Sequence, residues 1–405
     1  MIRTADDVAR TMGDMKGAAM KLGQVLSLMT GMVPDEFSSR LSSLHSQAPP
    51  MSFDLVESVF RRDLGRNPHA VFKSFEPEPF AAASIGQVHR AVRTDGRRVA
   101  VKVQYPGVAE AVEADLANVG LMMGLATTVA RGLDGAAIAA EIRQGISAEL
   151  DYLAEARNQQ RFEAIYRNHP LVVVPPVHID LTTPRILVQD YLEGAPFSAA
   201  RGWSQPQRDR LAEIVFRFAF GSIYRFGLFN GDPHPGNYVL LPDGRVGFVD
   251  FGCVAEFPPS TVEGFATIIR AIYENRLEDW RAACEAVGIL HAGAPFTTET
   301  LFDHMRWFWA PVLDEEVQFT RELAAEMVRR NSQTTGLGGE INKHCNIPPG
   351  LVFLTRINFG LAGLLSLLNA TGPWRGIIGE YVYGSEPVTA LGRASREASR
   401  DGISV

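Results

Sequence analysis

The spacing of hydrophobic positions changes several times along the chain, and each change marks a predicted element. From about Val71, two β-rich runs flank Asp95-Gly96, a dipeptide that favours a tight hairpin turn. An antiparallel pair of strands ending at Lys102 is therefore predicted. Helical spacing returns afterwards and predicts helices over residues 108–132, 136–166 and 205–227. Between the second and third of these helices, strands are predicted within residues 171–180 and 185–194.

Both ends of the chain have mainly helical spacing. The N-terminal helices fall within residues 5–46 and 53–64, and most of residues 260–368 follows the same period. The order of predicted elements is helices, then a small β-rich lobe with an inserted helix, then a larger helical lobe. This order predicts an α+β fold. The predicted domains are an N-terminal helical extension, an N-lobe, a helical C-lobe and a C-terminal tail, over residues 1–70, 71–193, 194–370 and 371–405.

A short segment around a second Asp-Gly turn, Asp243-Gly244, is rich in oxygen ligands. The turn predicts a hairpin whose two open ends carry Asn237 and Asp250, with Asp232 on the loop before it. Mg²⁺ prefers oxygen ligands and keeps several waters, so that one amide, one carboxylate and nucleotide phosphates suffice to bind it. In protein kinases this spacing gives an aspartate that positions the nucleophile, followed by two metal ligands. The segment therefore predicts ATP and Mg²⁺ binding.

A phosphate-binding site of this kind needs a cation on an upstream strand, and Lys102 is the candidate. Only five of the 39 basic residues of the chain are lysines, so lysine is used sparingly. Lysine is therefore expected where a compact ammonium is needed rather than a planar guanidinium. On the inserted helix, Glu149, Asp151 and Glu155 are all candidate partners of Lys102.

Composition and charge exclude several other classes of protein. The formal net charge is -7 and there is no basic block, so we expect no nucleic-acid partner. The three cysteines lie too far apart in sequence for a zinc site and indicate a reducing, cytoplasmic location. The longest nearly apolar runs, residues 120–130 and 359–368, are shorter than the roughly 18 residues of a membrane span. The chain is predicted to be soluble or peripheral.

Four motifs, taken in order, resemble those of the UbiB/AarF family of atypical kinase-like proteins, which includes coenzyme Q accessory ATPases. They are the K-x-G-Q signature at Lys21 to Gln24, an alanine-rich loop, an E-x-D-x-x-x-E motif and the G-D-P-H-P-G-N to D-F-G core. The resemblance covers roughly residues 14–368. It implies a protein-kinase-like two-lobe fold with an N-terminal helical extension and a mostly helical C-lobe.

The resemblance also implies roles for individual residues. Lys102 would pair with Glu155, and both would act in catalysis with Asp232, while Asn237 and Asp250 would hold Mg²⁺. ATP would be bound by Lys102 and by two further segments. These are the alanine-rich loop, with Ala81, Ala82, Ala83 and Ser84, and the predicted strand region 185–194, with Asp190 and Leu192. Four further residues would form a regulatory set that occludes the substrate site, namely Lys21, Gln24, Glu149 and Asp151. Within this set, Glu149 or Asp151 would contact the K-x-G-Q helix.

Three functions follow as alternatives. We favour a Mg²⁺-dependent ATPase or small-molecule kinase that supports isoprenoid-quinone or other lipid metabolism at the inner face of a membrane. Its small-molecule partner would be a lipid or quinone precursor, and protein kinase activity in trans is not expected. The second is a phosphotransferase of the aminoglycoside or choline kinase kind, and the third is a nucleotide-sensing scaffold without turnover.

Overall fold

The structure is a computed structural model that describes residues 50–83, 85–108, 150–331, 333, 335–345 and 356–400. Helices within these residues are numbered in chain order as α1 Phe53–Leu64, α2 Pro68–Val71, α3 Tyr152–Ile165, α4 Gln205–Phe226, α5 Pro259–Tyr273, α6 Leu277–Ala286, α7 Thr298–Met305, α8 Arg321–Asn331, α9 Gly336–Asn342, α10 Ala362–Leu367, α11 Trp374–Val382 and α12 Ala390–Arg400. Strands are β1 Ser74–Phe75, β2 Ala81–Ala83, β3 Gly86–Val92, β4 Arg98–Gln104, β5 Val172–Val173, β6 Ile186–Asp190, β7 Ala195–Pro196, β8 Leu228–Asn230, β9 Tyr238–Leu240, β10 Val246–Phe248, β11 Val254–Glu256, β12 Val317–Gln318 and β13 Thr371–Gly372.

The described residues divide into two compact units. The first unit comprises those up to Ala164 together with Val174–Glu193 and Val249–Cys253. The second unit comprises Ile165–Val173, Gly194–Phe248 and the described residues from Val254 onward. Each unit includes short segments from within the sequence range of the other. The bounds of the four predicted domains stay predictions.

An antiparallel sheet of order β1-β3-β4-β6, with β2 also paired to β3, forms the frame of the first unit. The predicted hairpin is present: β3 and β4 pair around a turn in which Gly96 adopts a φ of 90°. At the start of β3 the strands come so close that a Cβ on Gly86 would lie 2.2 Å from the Val103 carbonyl oxygen. Only glycine fits there, because any side chain would push the two backbones apart.

Strand β4 has a buried apolar face that packs on helix α1. Val99, Val101 and Val103 are fully buried in a cluster with Phe60 of α1 and Val188 of β6. Successive side chains of a strand point to opposite faces of its sheet. The residue between Val101 and Val103, which is Lys102, therefore projects from the other face.

Helix α4, twenty-two residues long, runs through the core of the second unit. It begins after Ser204, whose backbone N–H donates to Gln207 Oε1 at 3.0 Å, and it ends at Gly227 in the left-handed conformation with φ 65°. These are ordinary helix start and stop signals. A sheet of order β5-β10-β9-β7 accompanies it, and Phe218 of α4 stacks on Phe248 of β10 with ring centroids 3.7 Å apart.

Regular structure extends into the segment predicted as a C-terminal tail. Its described part forms β13, α11 and α12. Buried Trp374 and Ile377 attach α11 to the second unit, and Ser395 of α12 is buried as well. These contacts are long-range, so the local pattern that indicated a tail could not reveal them. In the described part of the chain, no helix combines the length and the apolar character that crossing a bilayer requires.

Candidate functional site

Lys102 lies between two carboxylates in the first unit. Its Nζ donates to Glu155 Oε1 at 2.6 Å and to Asp250 Oδ2 at 2.8 Å. These partners are 53 and 148 residues away in sequence and come from α3 and from the segment after β10. The Lys102 and Glu155 side chains are 8% and 4% exposed, whereas that of Asp250 is 26% exposed. Solvent therefore reaches this group of charges from the Asp250 side.

The three charges of this group influence one another's protonation. Burial by itself lowers the pKa of Lys102, but the charges of Asp250 and Glu155 outweigh burial and hold that pKa above its ordinary value. Burial, followed by the charge of Asp250, raises the pKa of Glu155 to about 7, although Lys102 acts in the opposite direction. One ammonium thus faces two carboxylates, and the pKa of the more deeply buried one, Glu155, is raised.

Helix α3 fixes the Asp-Phe-Gly segment in place. The Phe251 N–H donates to Glu155 Oε1 at 3.4 Å, and Asn158 Nδ2 donates to the Phe251 carbonyl at 3.1 Å. The ring of Phe162 contacts that of Phe251 with centroids 5.0 Å apart. Glu155, Asn158 and Phe162 are spaced three and four residues apart, so they share one face of the helix. Sequence reasoning singled out Glu155 but missed the other two, which its helical spacing could have revealed.

Tyr152 begins α3 beside the same lysine. Its ring centroid is 5.9 Å from Lys102 Nζ, and its hydroxyl is buried without a hydrogen-bond partner. Burial raises the pKa of this phenol, so it stays protonated. A buried polar group without a partner is uncommon and is often found at functional sites. Tyr152 is therefore a further polar group of the site that was not predicted.

Asp232 and Asn237 lie together in the second unit. Asn237 Nδ2 donates to the Asp232 carbonyl at 3.0 Å and to Asp232 Oδ2 at 3.1 Å. His234, which is exposed, shapes the loop between them because its Nδ1 accepts the Gly236 N–H at 3.1 Å. Both hydrogen bonds use the amide nitrogen of Asn237. The side-chain oxygen of Asn237 therefore points away from Asp232, where it can serve as a ligand of a cation.

The predicted nucleotide-binding residues in the first unit fall on two elements. Ala81, Ala82 and Ala83 form β2, with the first two exposed, whereas Ser84 lies outside the described residues. Asp190 ends β6, and its Oδ1 contacts His178 Nε2 at 2.7 Å, so that this carboxylate already has a partner. Leu192 follows two residues later and is half-buried. Their part in nucleotide binding stays a prediction.

Most of the predicted regulatory set lies outside the described residues, namely Lys21, Gln24 and Glu149. Asp151 is described, and its Oδ1 accepts the Leu153 N–H at 2.9 Å at the start of α3. Arg157 lies 3.5 Å from its other oxygen. Asp151 thus caps helix α3, while its predicted contact with the K-x-G-Q helix stays a prediction.

Comparison with known proteins agrees with this arrangement of motifs. A family model for the ABC1 atypical kinase-like domain matches residues 43–283. The Arabidopsis thaliana chloroplast protein Activity of bc1 complex kinase 8 is 32% identical over 280 residues, which are 67% of this chain and 37% of the relative. AarF domain-containing protein kinase 1 of Xenopus laevis is 34% identical over 227 residues, 56% of this chain and 44% of the relative. The chain thus spans well under two thirds of either relative.

A solved structure is similar along nearly the whole chain. It is the complex of Rv3197 with erythromycin from Mycobacterium tuberculosis, and it is 32% identical in sequence with a TM-score of 0.69. The similarity covers 97% of this chain and 97% of that one. The α+β architecture is therefore shared with a protein of known structure.

Proposed function

Because this chain belongs to the ABC1 atypical kinase-like family, we propose that it binds ATP with Mg²⁺ and transfers the terminal phosphoryl group to water or to a small molecule. The observation that carries the proposal is the ammonium of Lys102, buried and hydrogen-bonded to both Glu155 and Asp250. In kinases, a strand lysine held by a helix glutamate binds the phosphates of ATP.

Lys102 would exchange one partner when the nucleotide binds. Glu155, almost fully buried, keeps the ammonium in place, whereas the more exposed Asp250 is the partner that a phosphate oxygen can replace. A compact ammonium with three donors can contact Glu155 and phosphate oxygens at the same time. Asp250 then becomes able to bind a cation. Lys102 would thus contact the phosphates of the bound nucleotide, and Asp250 would contact its cation.

The residues predicted to bind Mg²⁺ have the donor chemistry that this ion needs. Asn237 directs its amide nitrogen at Asp232, which leaves its oxygen for a cation, and Asp250 offers a carboxylate. Mg²⁺ usually takes one or two protein oxygens and completes its shell with phosphates and water. Bound there, the ion would neutralise charge on the phosphates during transfer. Among the described residues, His, Cys, Asp and Glu form no group of three that could hold a metal ion.

Asp232 would orient the attacking oxygen. Its carboxylate is half-buried and held by Asn237, so that it keeps one orientation while its free edge accepts a proton from a water or a hydroxyl. A protein substrate is disfavoured by the short connection after Gly252, where β11 begins at Val254 and α5 at Pro259. This connection leaves little chain for a peptide-binding platform. A small-molecule acceptor or water fits better.

The physiological role that we propose is support of isoprenoid-quinone or other lipid metabolism at a membrane surface. The support for this role is membership of the family that the sequence motifs resemble, together with relatives named as AarF-domain kinases. The K-x-G-Q helix with Lys21 and Gln24 is proposed to restrict access of protein substrates. Contact with the membrane would be peripheral.

The test is ATP hydrolysis by the pure full chain, with and without anionic liposomes and phenolic quinone-precursor mimics. Asp250→Asn should remove Mg²⁺-dependent nucleotide binding measured by calorimetry, because a neutral amide no longer offsets phosphate charge. Lys102→Met should lower turnover about a hundredfold or more, as expected for the loss of a charged donor at the transferred phosphoryl group. Lys73→Met, at an exposed lysine of the same unit, is the matched control and should behave as the wild type.

Three outcomes separate the alternatives. Turnover that requires Asp250 and Lys102 supports a phosphoryl-transfer enzyme. Mg-ATP binding without hydrolysis under every condition indicates a nucleotide-sensing scaffold. If Asp250→Asn leaves the affinity for Mg-ATP unchanged, Asp250 does not bind the metal and the proposed site is wrong.

A further inference from the structure

Tyr152, the first residue of α3, is a polar group of the first unit to which the proposed phosphoryl transfer gives no role. The residue is only 3% exposed. Among the described residues, its hydroxyl is one of four buried side-chain polar atoms that lack a hydrogen-bond partner. A buried polar group without a partner is destabilising, and native structures contain few of them. The hydroxyl therefore has a capacity for hydrogen bonding that the protein without nucleotide does not use.

Hydrogen bonds to strand β4 hold the start of α3 beside Lys102. The Tyr152 N–H donates to the Pro184 carbonyl at 3.1 Å. Gln104 Nε2 donates to the same carbonyl at 3.2 Å and to the Leu150 carbonyl at 3.0 Å. Gln104 and Lys102 are two residues apart on β4, so their side chains project from the same face of the sheet. The strand that carries the lysine thus also fixes the tyrosine, whose ring centroid lies 5.9 Å from Lys102 Nζ.

The ammonium of Lys102 has an unused donor next to this unused hydroxyl. An ammonium has three N–H donors and no acceptor. Among the described residues, the hydrogen bonds of Lys102 Nζ go to Glu155 and Asp250, which leaves one N–H without an acceptor. A hydroxyl oxygen can accept such a donor. The two unused groups of Lys102 and Tyr152 can therefore satisfy each other.

The two carboxylates explain why this contact is absent without nucleotide. Hydrogen bonds between an ammonium and a carboxylate are roughly twice as strong as those between neutral groups. Glu155 and Asp250, at 2.6 and 2.8 Å from Nζ, therefore determine where the ammonium lies. Once Asp250 binds a cation in the proposed exchange, Glu155 alone holds the ammonium, which can then turn towards Tyr152.

We propose that Tyr152 is a positioning residue that accepts a hydrogen bond from Lys102 when Mg-ATP is bound. Tyr152 and Glu155 are three residues apart, so one face of α3 provides both contacts. With two N–H groups held from this helix, the tetrahedral ammonium directs its third N–H away from both, towards a phosphate oxygen in the place that Asp250 has left. The proposal rests on the proposed function, because it concerns the nucleotide-bound state of that site.

A phenol has the charge and the shape that this task requires. Burial raises the pKa of Tyr152, and the carboxylates of Glu155 and Asp250 act in the same direction, against the charge of Lys102. The group therefore stays a neutral hydroxyl. A neutral acceptor orients the ammonium without adding a third negative charge, so that the positive charge of Lys102 stays available to the phosphates.

The test is Tyr152→Phe in the full chain, a change that removes the hydroxyl and keeps the ring. Calorimetry should show an affinity for Mg-ATP about three- to tenfold lower than that of the wild type, the effect of one hydrogen bond. Without nucleotide, the urea midpoint should equal or exceed that of the wild type, because the hydroxyl that is removed has no partner. A purely structural tyrosine would give the opposite pair of results, namely lower stability and unchanged affinity.

Tyr166→Phe is the matched control, at a second buried tyrosine whose hydroxyl does have partners. That hydroxyl shares a hydrogen bond with Ser222 Oγ at 2.7 Å and donates to the Phe218 carbonyl at 3.4 Å. Its removal should lower the urea midpoint and leave the affinity for Mg-ATP unchanged.

A double-mutant cycle distinguishes action through Lys102 from direct contact with the nucleotide. In a Lys102→Met background, Tyr152→Phe should lower the affinity for Mg-ATP no further, because the ammonium that it positions is gone. The same loss in both backgrounds would show that Tyr152 acts on the nucleotide without Lys102, and the positioning role would be wrong.

The remaining outcomes separate this proposal from the proposed function. If the wild type does not bind Mg-ATP, the proposed function is wrong and the role of Tyr152 is wrong with it. If the wild type binds Mg-ATP and Tyr152→Phe binds it equally well, only the positioning role is wrong. A urea midpoint of Tyr152→Phe as low as that of Tyr166→Phe, or a failure to fold, also overturns the role, since the hydroxyl would then support the fold itself.

Discussion

Each of the two units contains a buried cation that is shared by two carboxylates, but we propose that only one of these groups of charges changes partners. In the second unit, Arg217 donates to both oxygens of Glu380 at 2.7 and 2.9 Å and to Glu213 at 2.7 Å. Thr389 accepts a further hydrogen bond from the same guanidinium at 2.9 Å. In the first unit, the ammonium of Lys102 has two partners, and one of them, Asp250, is partly exposed.

The difference lies in the shape of the cation and in what surrounds it. A guanidinium is planar, and its fixed donors fit a carboxylate with two parallel hydrogen bonds. Glu380 is 163 residues from Arg217, so this pair attaches α11 to α4. Gly392 lets α12 approach as well, since a Cβ there would lie 2.5 Å from an Arg217 nitrogen. The guanidinium of Arg217 thus makes a contact that joins two helices, whereas we propose that the ammonium of Lys102 exchanges one partner.

The largest expected effect comes from breaking the permanent group. Arg217→Met should lower the free energy of unfolding by about 3 to 5 kcal/mol, because Glu380 would stay buried without a cation. Urea denaturation followed by circular dichroism measures this loss. Arg210→Met, at an exposed position of the same helix, is the control and should change stability by less than about 0.5 kcal/mol. Equal stabilities of the two variants would show that Arg217 does not anchor the C-terminal helices.

A second test uses pH and another contact of α12. His169 Nδ1 accepts the N–H groups of Leu171 and Val172, each at 3.2 Å, so the neutral ring must carry its proton on Nε2, which donates to Ser395 Oγ at 3.0 Å. Burial, and after it the charge of Arg225, lowers the pKa of His169 to about 4. His169 therefore binds a proton only near pH 4 in the folded protein, whereas in the unfolded chain it binds one below about pH 6.5.

The contribution of His169 to stability should be complete above pH 6.5 and lost as the pH falls towards 4. We expect this loss to reach about 2 to 3 kcal/mol relative to His169→Asn, whose amide does not titrate. Unfolding by urea at a series of pH values gives both curves. His291→Asn, at an exposed histidine, is the control and should keep the wild-type slope. Parallel curves for wild type and His169→Asn would contradict the prediction.

The smallest effect is expected from exchanging the two cations. Arg217→Lys should lower the free energy of unfolding by about 1 to 3 kcal/mol, since an ammonium cannot bind both oxygens of Glu380 together with Glu213 and Thr389. Lys102→Arg should leave stability nearly unchanged but lower ATP turnover about tenfold, because the planar group cannot keep Glu155 while it contacts phosphate. If both exchanges affect only stability, or only turnover, the distinction between the two groups fails.

The sequence by itself determined the elements and motifs that depend on neighbouring residues. The hairpin around Gly96, the helix α4 between its Ser204 and Gly227 signals and the order of the kinase motifs were all predicted, and the α+β kinase-like fold class is confirmed. Turn chemistry and hydrophobic period act over a few residues, so these features are visible in the sequence. The resemblance added the expected pairing of Lys102 with Glu155, which the structure places 2.6 Å apart.

Only the tertiary structure decided which distant groups meet. The spacing of residues left Glu149, Asp151 and Glu155 as equal candidates for Lys102, and it gave no sign that Asp250 shares the same ammonium. It also gave no sign that Arg217, Glu380 and His169 hold α11 and α12. The choice of partner depends on how separate elements pack, and the local sequence does not encode that packing.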